Sequence, residues 1–104
     1  MFHCFTISYL KIKPKSRVKT ISFVYDDMFF IFGGLNSTPL NDLWFYDFHS
    51  DNCWSEAHPG GLPPEGRYGH SAILLRNEVY FYGGNIAENQ DNKDEILIFS
   101  ICRV

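Results

Sequence analysis

The stretch Met28–Gly34, with the sequence MFFIFGG, decides the fold, because a similar stretch, Val79–Gly84 (VYFYGG), ends 50 residues later. Each is a run of large hydrophobic side chains that ends in a pair of glycines. An arginine lies 16 residues before the first glycine of each pair, and a proline repeats with the same offset: Arg17 and Arg67, Pro14 and Pro64. A fixed period of this length is typical of a chain built from stacked copies of one supersecondary unit.

Each copy contains two short apolar runs joined by a polar turn. The turn is Asp26-Asp27 in the first copy and Arg76-Asn77 in the second. Short runs rich in β-branched and aromatic residues around such a turn predict β-hairpins. Because the runs are apolar at nearly every position, we expect their strands to be covered on both faces.

Further segments follow each hairpin. The first Gly-Gly pair precedes a polar loop, Leu35–Asn41, then the apolar segment Asp42–Asp47, and then a short segment that begins at Trp54. In the second copy, Asp94–Ser100 takes the place of Asp42–Asp47. A complete copy is therefore predicted to hold four strands.

This pattern resembles the kelch repeat. The residues that carry the resemblance are Arg67–Ala72 (RYGHSA), the two Gly-Gly pairs, Asn41–Asp47 (NDLWFYD) and Trp54. The resemblance implies that each copy is a four-stranded blade of a β-propeller, whose diglycine ends the second strand and lets an aromatic such as Trp54 pack close to the backbone. It also implies structural roles for six residues, with a hydrogen bond as the usual role of the histidine: Gly33, Gly34, Trp54, His70, Gly83 and Gly84.

The predicted fold class is all-β, a partial β-propeller of about two four-stranded antiparallel kelch blades. Residues 1–14 are predicted to be the outer strand of a preceding blade, because Cys4 aligns with Trp54 at the 50-residue offset. Residues 15–64 form the first full blade, and residues 65–104 form a second blade that lacks its outer strand. Propellers close with about four to eight blades, so two copies are too few for a closed ring.

Three explanations of this count stay open: a fragment of a larger propeller or scaffold protein, self-association that closes a propeller, or a stable two-blade monomer. Residues 1–19 carry a charge of +5 and the remaining residues carry −8. Head-to-tail association would bring the basic end of one chain to the acidic body of another. Unpaired edges of hydrophobic strands count against the monomer.

The resemblance implies a protein–protein interaction module that binds a protein or peptide. The family's recognition loops correspond here to Leu35–Asn41, Asn85–Lys93 and Pro59–Tyr68. Asn36, Tyr68 and Asn85 are the best contact candidates, because aromatics and amides suit peptide recognition. Arg67 is expected mainly to pack and hydrogen-bond, with partner contact as the second interpretation. The alternatives are the substrate-recognition part of a ubiquitin-ligase adaptor and, less strongly supported, the remnant of a propeller enzyme.

No residue cluster in the sequence supports catalysis, a cofactor or a metal. His49, Cys53 and His58 lack a fourth ligand, and the oxygen-rich loop Glu88–Glu95 lacks the spacing of a calcium loop. We expect no nucleic-acid partner, since the pI is about 5.7 and the one basic run, Lys11–Lys19, suits a solvated loop. Three cysteines without CxxC spacing, and no run of membrane-spanning length, predict a cytoplasmic protein.

Overall fold

A computed structural model describes residues 12–49, 52–61, 64–86 and 96–101 of the chain. These residues form seven β-strands. The strands are β1 (Ile21–Tyr25), β2 (Met28–Asn36), β3 (Thr38–Asp47), β4 (Trp54–Ala57), β5 (Ser71–Leu75), β6 (Glu78–Tyr82) and β7 (Ile96–Ser100). The outer strand predicted within residues 1–14 falls almost wholly outside the described residues, and no domain boundary is tested by them.

The strands form two antiparallel sheets, one for each predicted copy. The first sheet has the order β1-β2-β3-β4 and the second has the order β5-β6-β7. Four strands followed by three is the division that the sequence predicts, and it is consistent with kelch blades. The two hairpins keep the same register, since Ile21 pairs with Phe32 and Ser71 pairs with Tyr82.

The two predicted hairpin turns are present. Asp26 and Asp27 both have positive φ, 51° and 61°, as the central residues of a type I′ turn do. This turn matches the twist of the strands that it joins, and aspartate tolerates positive φ better than most residues. In the second hairpin Arg76 has a φ of 58°.

The diglycine ends its strand in the second copy only. There β6 stops at Tyr82, before Gly83, as the family resemblance implies. In the first copy β2 continues through a register shift between Phe32 and Gly34 and runs on to Asn36. Ser37, with a φ of 62°, turns the chain directly into β3. The prediction of a loop over Leu35–Asn41 is therefore wrong, because backbone pairing with β3 extends beyond the glycines.

The hydrophobic core lies between the two sheets. We call the sides that meet there the packed faces. The packed face of the first sheet carries Phe23, Phe30, Phe32, Leu43 and Phe45, and that of the second carries Ala72, Leu74, Val79, Phe81, Leu97 and Phe99. The rings of Phe32 and Phe81 meet across the interface with centroids 4.8 Å apart.

The two sheets differ in how many faces are covered. Strand β2 is buried at most positions on both sides, as its sequence predicts. Strand β5 alternates between exposed and half-buried positions, and Tyr82 at the end of β6 is 54% exposed, whereas Phe32 at the equivalent position is 5% exposed. The expectation of two covered faces is wrong for the second sheet. On the side away from the core the first sheet carries large aromatic side chains that cover one another, Phe29, Tyr46 and Trp54, whereas the isoleucines on that side of the second sheet stay exposed.

Candidate functional site

Two isolated β-bridges lie side by side, one at the point where the chain enters the first sheet and one where it enters the second. In the first, Val18 and Leu35 exchange backbone hydrogen bonds of 3.1 and 2.8 Å. In the second, Tyr68 and Asn85 exchange bonds of the same lengths. Each residue of the second bridge lies 50 positions after its counterpart in the first. The repeat thus produces the same backbone arrangement twice.

A backbone hydrogen bond ties these bridges together. The Gly69 amide donates to the Lys19 carbonyl oxygen at 3.1 Å. This contact places the Lys19 ammonium 5.6 Å from the centroid of the Tyr68 ring, within range of a cation–π interaction. We call the surface formed by Val18, Lys19, Asn36, Tyr68 and Asn85 the bridge face.

The bridge face offers several kinds of contact to a partner. Val18 is 59% exposed, Lys19 is exposed, and the Tyr68 side chain is half-buried. Asn36 is also half-buried, and its side-chain amide donates to the Ser16 carbonyl oxygen at 2.6 Å, which leaves its carbonyl group to accept from a ligand. An aromatic ring, amides and a cation together suit recognition of a polypeptide.

Three of the four predicted contact residues therefore lie on one surface. Asn36, Tyr68 and Asn85 belong to the bridge face, and their contact with a partner stays a prediction. The sequence analysis missed Val18 and Lys19. The 50-residue offset from Tyr68 would have found Val18, but nothing in the sequence indicates that the Lys19 carbonyl meets Gly69.

Arg67 does not reach this surface. The residue is 1% exposed, and its side-chain Nε donates to the Glu65 carbonyl oxygen at 3.2 Å. Its backbone joins the two copies, because the Arg67 amide donates to Leu40 at 2.9 Å and its carbonyl accepts from Gly34 at 2.8 Å. The structure thus favours the packing role and removes Arg67 from the contact candidates.

His70 is buried where the two sheets meet, at the start of β5. Its ring contacts Phe32 and Phe81, with centroids 5.4 and 5.9 Å away. Neither ring nitrogen has a hydrogen-bond partner in the part of the chain that the structure describes. The ring is an aromatic packing group between the two sheets, and the hydrogen bond implied by the family resemblance stays a prediction.

The surroundings of His70 favour its neutral form. Burial, together with the nearby positive charge of Arg67, lowers the pKa of His70 from 6.5 to about 4. The Phe32 backbone acts in the opposite direction but is outweighed. A neutral imidazole enclosed by Phe32 and Phe81 suits a packing role between the sheets.

The first diglycine allows the backbone of the second repeat to approach the first sheet closely. A Cβ on Gly33 would lie 2.7 Å from the Arg67 carbonyl oxygen, and one on Gly34 would lie 3.0 Å from the Val18 carbonyl oxygen. Trp54 lies elsewhere, with its ring against Phe29 and Tyr46 at 6.1 and 5.5 Å. The implied contact between Trp54 and the glycines is wrong, because backbone and His70 atoms occupy that space. Gly84 is similar, since a Cβ there would lie 2.9 Å from the His70 Cβ.

An ion pair anchors the segment that precedes the first bridge. Arg17 donates to both carboxylate oxygens of Asp42 and also to the Gly33 carbonyl oxygen at 3.2 Å. Burial tends to raise the pKa of Asp42, but the hydrogen bonds from Arg17 and Trp44 outweigh it and hold this pKa below 3.8. Arg17 is thus not a freely solvated member of the basic run, whereas Lys13, Lys15 and Lys19 are exposed.

The remaining sequence candidates do not converge on one site. Within the described ranges no three histidine, cysteine, aspartate or glutamate side chains are grouped to hold a metal ion, so His49, Cys53 and His58 do not form a metal centre. The acidic loop Glu88–Glu95 and most of the loop Asn85–Lys93 fall outside the described residues. Among the residues that can be placed, no helix has the length and apolar character needed to cross a bilayer.

A cavity of about 520 Å³ opens between the two sheets near their outer strands. Its walls include Leu43, Ala57, Leu97 and Phe99, and its polar rim includes Asp42. None of the four predicted contact residues lines it. It is therefore a surface distinct from the bridge face.

Comparison with known proteins agrees with this architecture. The family profile for the KLHDC2/KLHL20/DRC7 Kelch-repeats domain matches residues 3–101. Similar curated proteins include the Rho GTPase-activating protein gacHH of Dictyostelium discoideum, 39% identical over 78 residues, which make up 71% of this chain and 5% of that protein. Kelch domain-containing protein 1 of Mus musculus is 38% identical over 78 residues, or 69% of this chain and 18% of its own length.

A third relative gives the same result. Kelch domain-containing protein 3 of Bos taurus is 33% identical over 75 residues, 70% of this chain and 19% of that protein. The chain spans less than a fifth of the length of each of these relatives. The relatives are thus diverse proteins that share a repeat region with this chain.

Proposed function

The chain belongs to the kelch-repeat family, and from this premise we propose that it binds a protein partner, without catalysis, through the bridge face. Kelch domains generally bind proteins. The finding that carries the proposal is the pair of linked β-bridges, which set the Lys19 cation over the Tyr68 ring beside exposed Val18. The ubiquitin-ligase and enzyme alternatives stay predictions, since no feature of the described residues favours either.

The backbone that carries the bridge face supports this role. Each bridge is held by a reciprocal pair of backbone hydrogen bonds, and the Gly69 amide links the two. Contact groups held in place before binding lose less conformational entropy when a partner arrives. Tyr68 supplies a large, stiff contact surface, and tyrosine is among the residues enriched at binding hot spots.

Peptide selection on the folded protein tests the proposal. A phage library of random peptides would be selected on the immobilised chain, and enriched peptides would be measured by fluorescence polarisation. We expect Tyr68→Ala and Lys19→Ala to weaken binding by roughly tenfold or more, as removal of a hot spot does. Phe48→Ala is the matched control, because Phe48 is 59% exposed and lies beyond the opposite end of β3.

The outcomes separate clearly. Peptides whose affinity changes with Tyr68→Ala and not with Phe48→Ala support the bridge face. Equal affinity for the Tyr68→Ala variant and the original chain rejects it, even if peptides bind elsewhere. Turnover of a peptide during the assay would contradict the non-catalytic role.

We also propose a cytoplasmic location. Cys53 is a free, half-buried thiol in the structure, as expected of a protein kept in a reducing compartment. Fluorescence microscopy of a tagged chain checks this location, and a secreted product would contradict it.

A further inference from the structure

One side of the second sheet is apolar, and none of the described strands covers it. We call it the open face. Its exposed members are Ile73 (64%), Leu75 (51%), Tyr82 (54%), Ile96 (62%) and Ile98 (58%), and the pairing of the strands adds Tyr80 to the same side. Contiguous exposed apolar residues of this kind mark an interaction surface more often than a solvated one.

The repeat indicates which kind of surface fits the open face. Three of its members have a counterpart 50 positions earlier that holds the same register in the first sheet and is buried there. These pairs are Ile73 with Phe23 (8% exposed), Tyr80 with Phe30 (4%) and Tyr82 with Phe32 (5%). The open face is therefore the counterpart of the packed face of the first sheet.

Within the molecule, the packed face of the first sheet is covered by the packed face of the second. The key covering residues there are Val79 and Phe81 in the central strand. Their counterparts in the first sheet are Phe29 and Ile31, which lie on the side away from the core. We call that side the back face of the first sheet, and it carries Val24, Phe29, Ile31, Trp44, Tyr46 and Trp54.

The back face is available to varying degrees. Val24 is 62% exposed, Ile31 is 8% exposed, and Phe29, Trp44 and Tyr46 are half-buried. The open face and the back face are thus the two halves of the interface that the molecule already forms once between its own sheets.

Among the described strands each of the two faces carries a carboxylate, Glu78 on the open face and the exposed Glu56, paired with Trp44, on the back face. The carboxylate on the open face belongs to Glu78, which accepts hydrogen bonds from the Tyr80 and Ser100 hydroxyls at 3.2 and 3.4 Å. The Glu78 carboxylate therefore forms its hydrogen bonds within the open face, and it keeps them when the surrounding apolar side chains are buried.

We propose that a second copy of this chain docks the back face of its first sheet onto the open face of the second sheet. The contact is heterologous, since different surfaces of the two copies meet, so a repeated rotation can close into a ring. With two blades in each chain, a propeller of about four to eight blades takes two to four copies. This inference concerns the flat sides of the sheets and is independent of the bridge face.

Light scattering after size-exclusion chromatography tests the assembly. The 104-residue chain should elute as a discrete species of two to four copies. Tyr82→Lys on the open face and Val24→Lys on the back face should each raise the dissociation constant roughly tenfold or more, because a charge would be buried without a partner. Ile12→Lys is the matched control, since Ile12 is 66% exposed and lies on neither sheet. Circular dichroism confirms that each variant is folded, and Ile98→Lys gives a second open-face variant.

A mixture of the two variants gives the sharpest result. The Tyr82→Lys chain keeps its back face and the Val24→Lys chain keeps its open face, so together they should form a 1:1 pair although each alone stays monomeric. A monomeric original chain overturns the proposal and assigns the open face to a further blade or another protein. Three other results overturn it as well. The first is a dimer that Val24→Lys does not weaken, the second is aggregation that Tyr82→Lys does not change, and the third is a mixture of the two variants that does not pair.

Discussion

Gly33 shows how a single residue allows the two sheets to pack. Its φ is +68°, and a Cβ there would meet the Arg67 carbonyl oxygen at 2.7 Å. That carbonyl cannot move away without loss of its hydrogen bond from the Gly34 amide. Two costs therefore coincide at Gly33, the strain of a positive φ and a backbone clash.

Gly33→Ala should lower the free energy of unfolding by at least about 2 kcal/mol, because both costs apply. Gly61 provides a matched control. It has a similar φ of +85° but no atom within 4 Å of the added Cβ, so Gly61→Ala should cost only about 1 kcal/mol. Urea denaturation of the two variants measures the difference, and equal losses would show that the clash with Arg67 is unimportant.

At the scale of the element, the ion pair of Arg17 and Asp42 fastens the incoming segment to β3. The Arg17 side chain is 3% exposed in this contact and that of Asp42 is 23% exposed. The Trp44 indole donates to the same carboxylate at 2.8 Å. A planar guanidinium that meets a carboxylate in a forked arrangement is not replaced by the single ammonium of lysine.

Arg17→Lys should therefore lower the free energy of unfolding by about 1–3 kcal/mol, because buried acceptors lose their donors. Arg76→Lys, at an exposed position in the turn between β5 and β6, should change it by less than about 0.5 kcal/mol. Thermal unfolding followed by circular dichroism compares the two. An Arg17→Lys chain as stable as the Arg76→Lys chain would mean that the segment is held by its backbone bridge alone.

At the scale of the whole molecule, His70 makes the packing of the two sheets sensitive to pH. Its ring lies between Phe32 of the first sheet and Phe81 of the second. The pKa is lowered to about 4 in the folded chain from 6.5. The unfolded chain therefore binds a proton more readily, and stability falls as the pH drops through this window.

The free energy of unfolding should decrease by about 3 kcal/mol between pH 6.5 and pH 4, as the pKa difference requires. His70→Leu should flatten this part of the pH profile, and His58→Leu, at an exposed histidine, should not. Protonation of Asp42, which breaks its ion pair with Arg17, should reduce the free energy of unfolding only below pH 3.8, because the pKa of Asp42 in the folded chain is lowered from that value. Urea denaturation across this range measures the profile, and an NMR titration of His70 with a midpoint near 6.5 would contradict the prediction.

Much of the fold follows from local patterns. The 50-residue period, the two turns and the short apolar runs predict two similar antiparallel sheets with four and three strands, as observed. The strand that continues past Gly33 was not predicted, because it depends on how β2 pairs with β3 rather than on the glycines themselves.

The candidate site was predictable only in part. Asn36, Tyr68 and Asn85 followed from the family resemblance, whereas the contact of Lys19 with Tyr68 did not. Arg17 and Arg67 look equivalent in the sequence, but the pairing of Arg17 with Asp42 depends on the position of β3, which is distant from Arg17 in the chain.

The amino-acid sequence by itself determined the repeat, the strand type and the turns, because these depend on residues close together in the chain. Tertiary structure alone decided which faces are covered, why Phe32 is buried while Tyr82 is exposed, and which residues share the bridge face. The physical reason is that burial is set by what packs against a side chain. Phe32 and Tyr82 hold the same position in two similar patterns, but Phe32 lies on the packed face of the first sheet, which the second sheet covers, whereas Tyr82 lies on the open face, which no described strand covers.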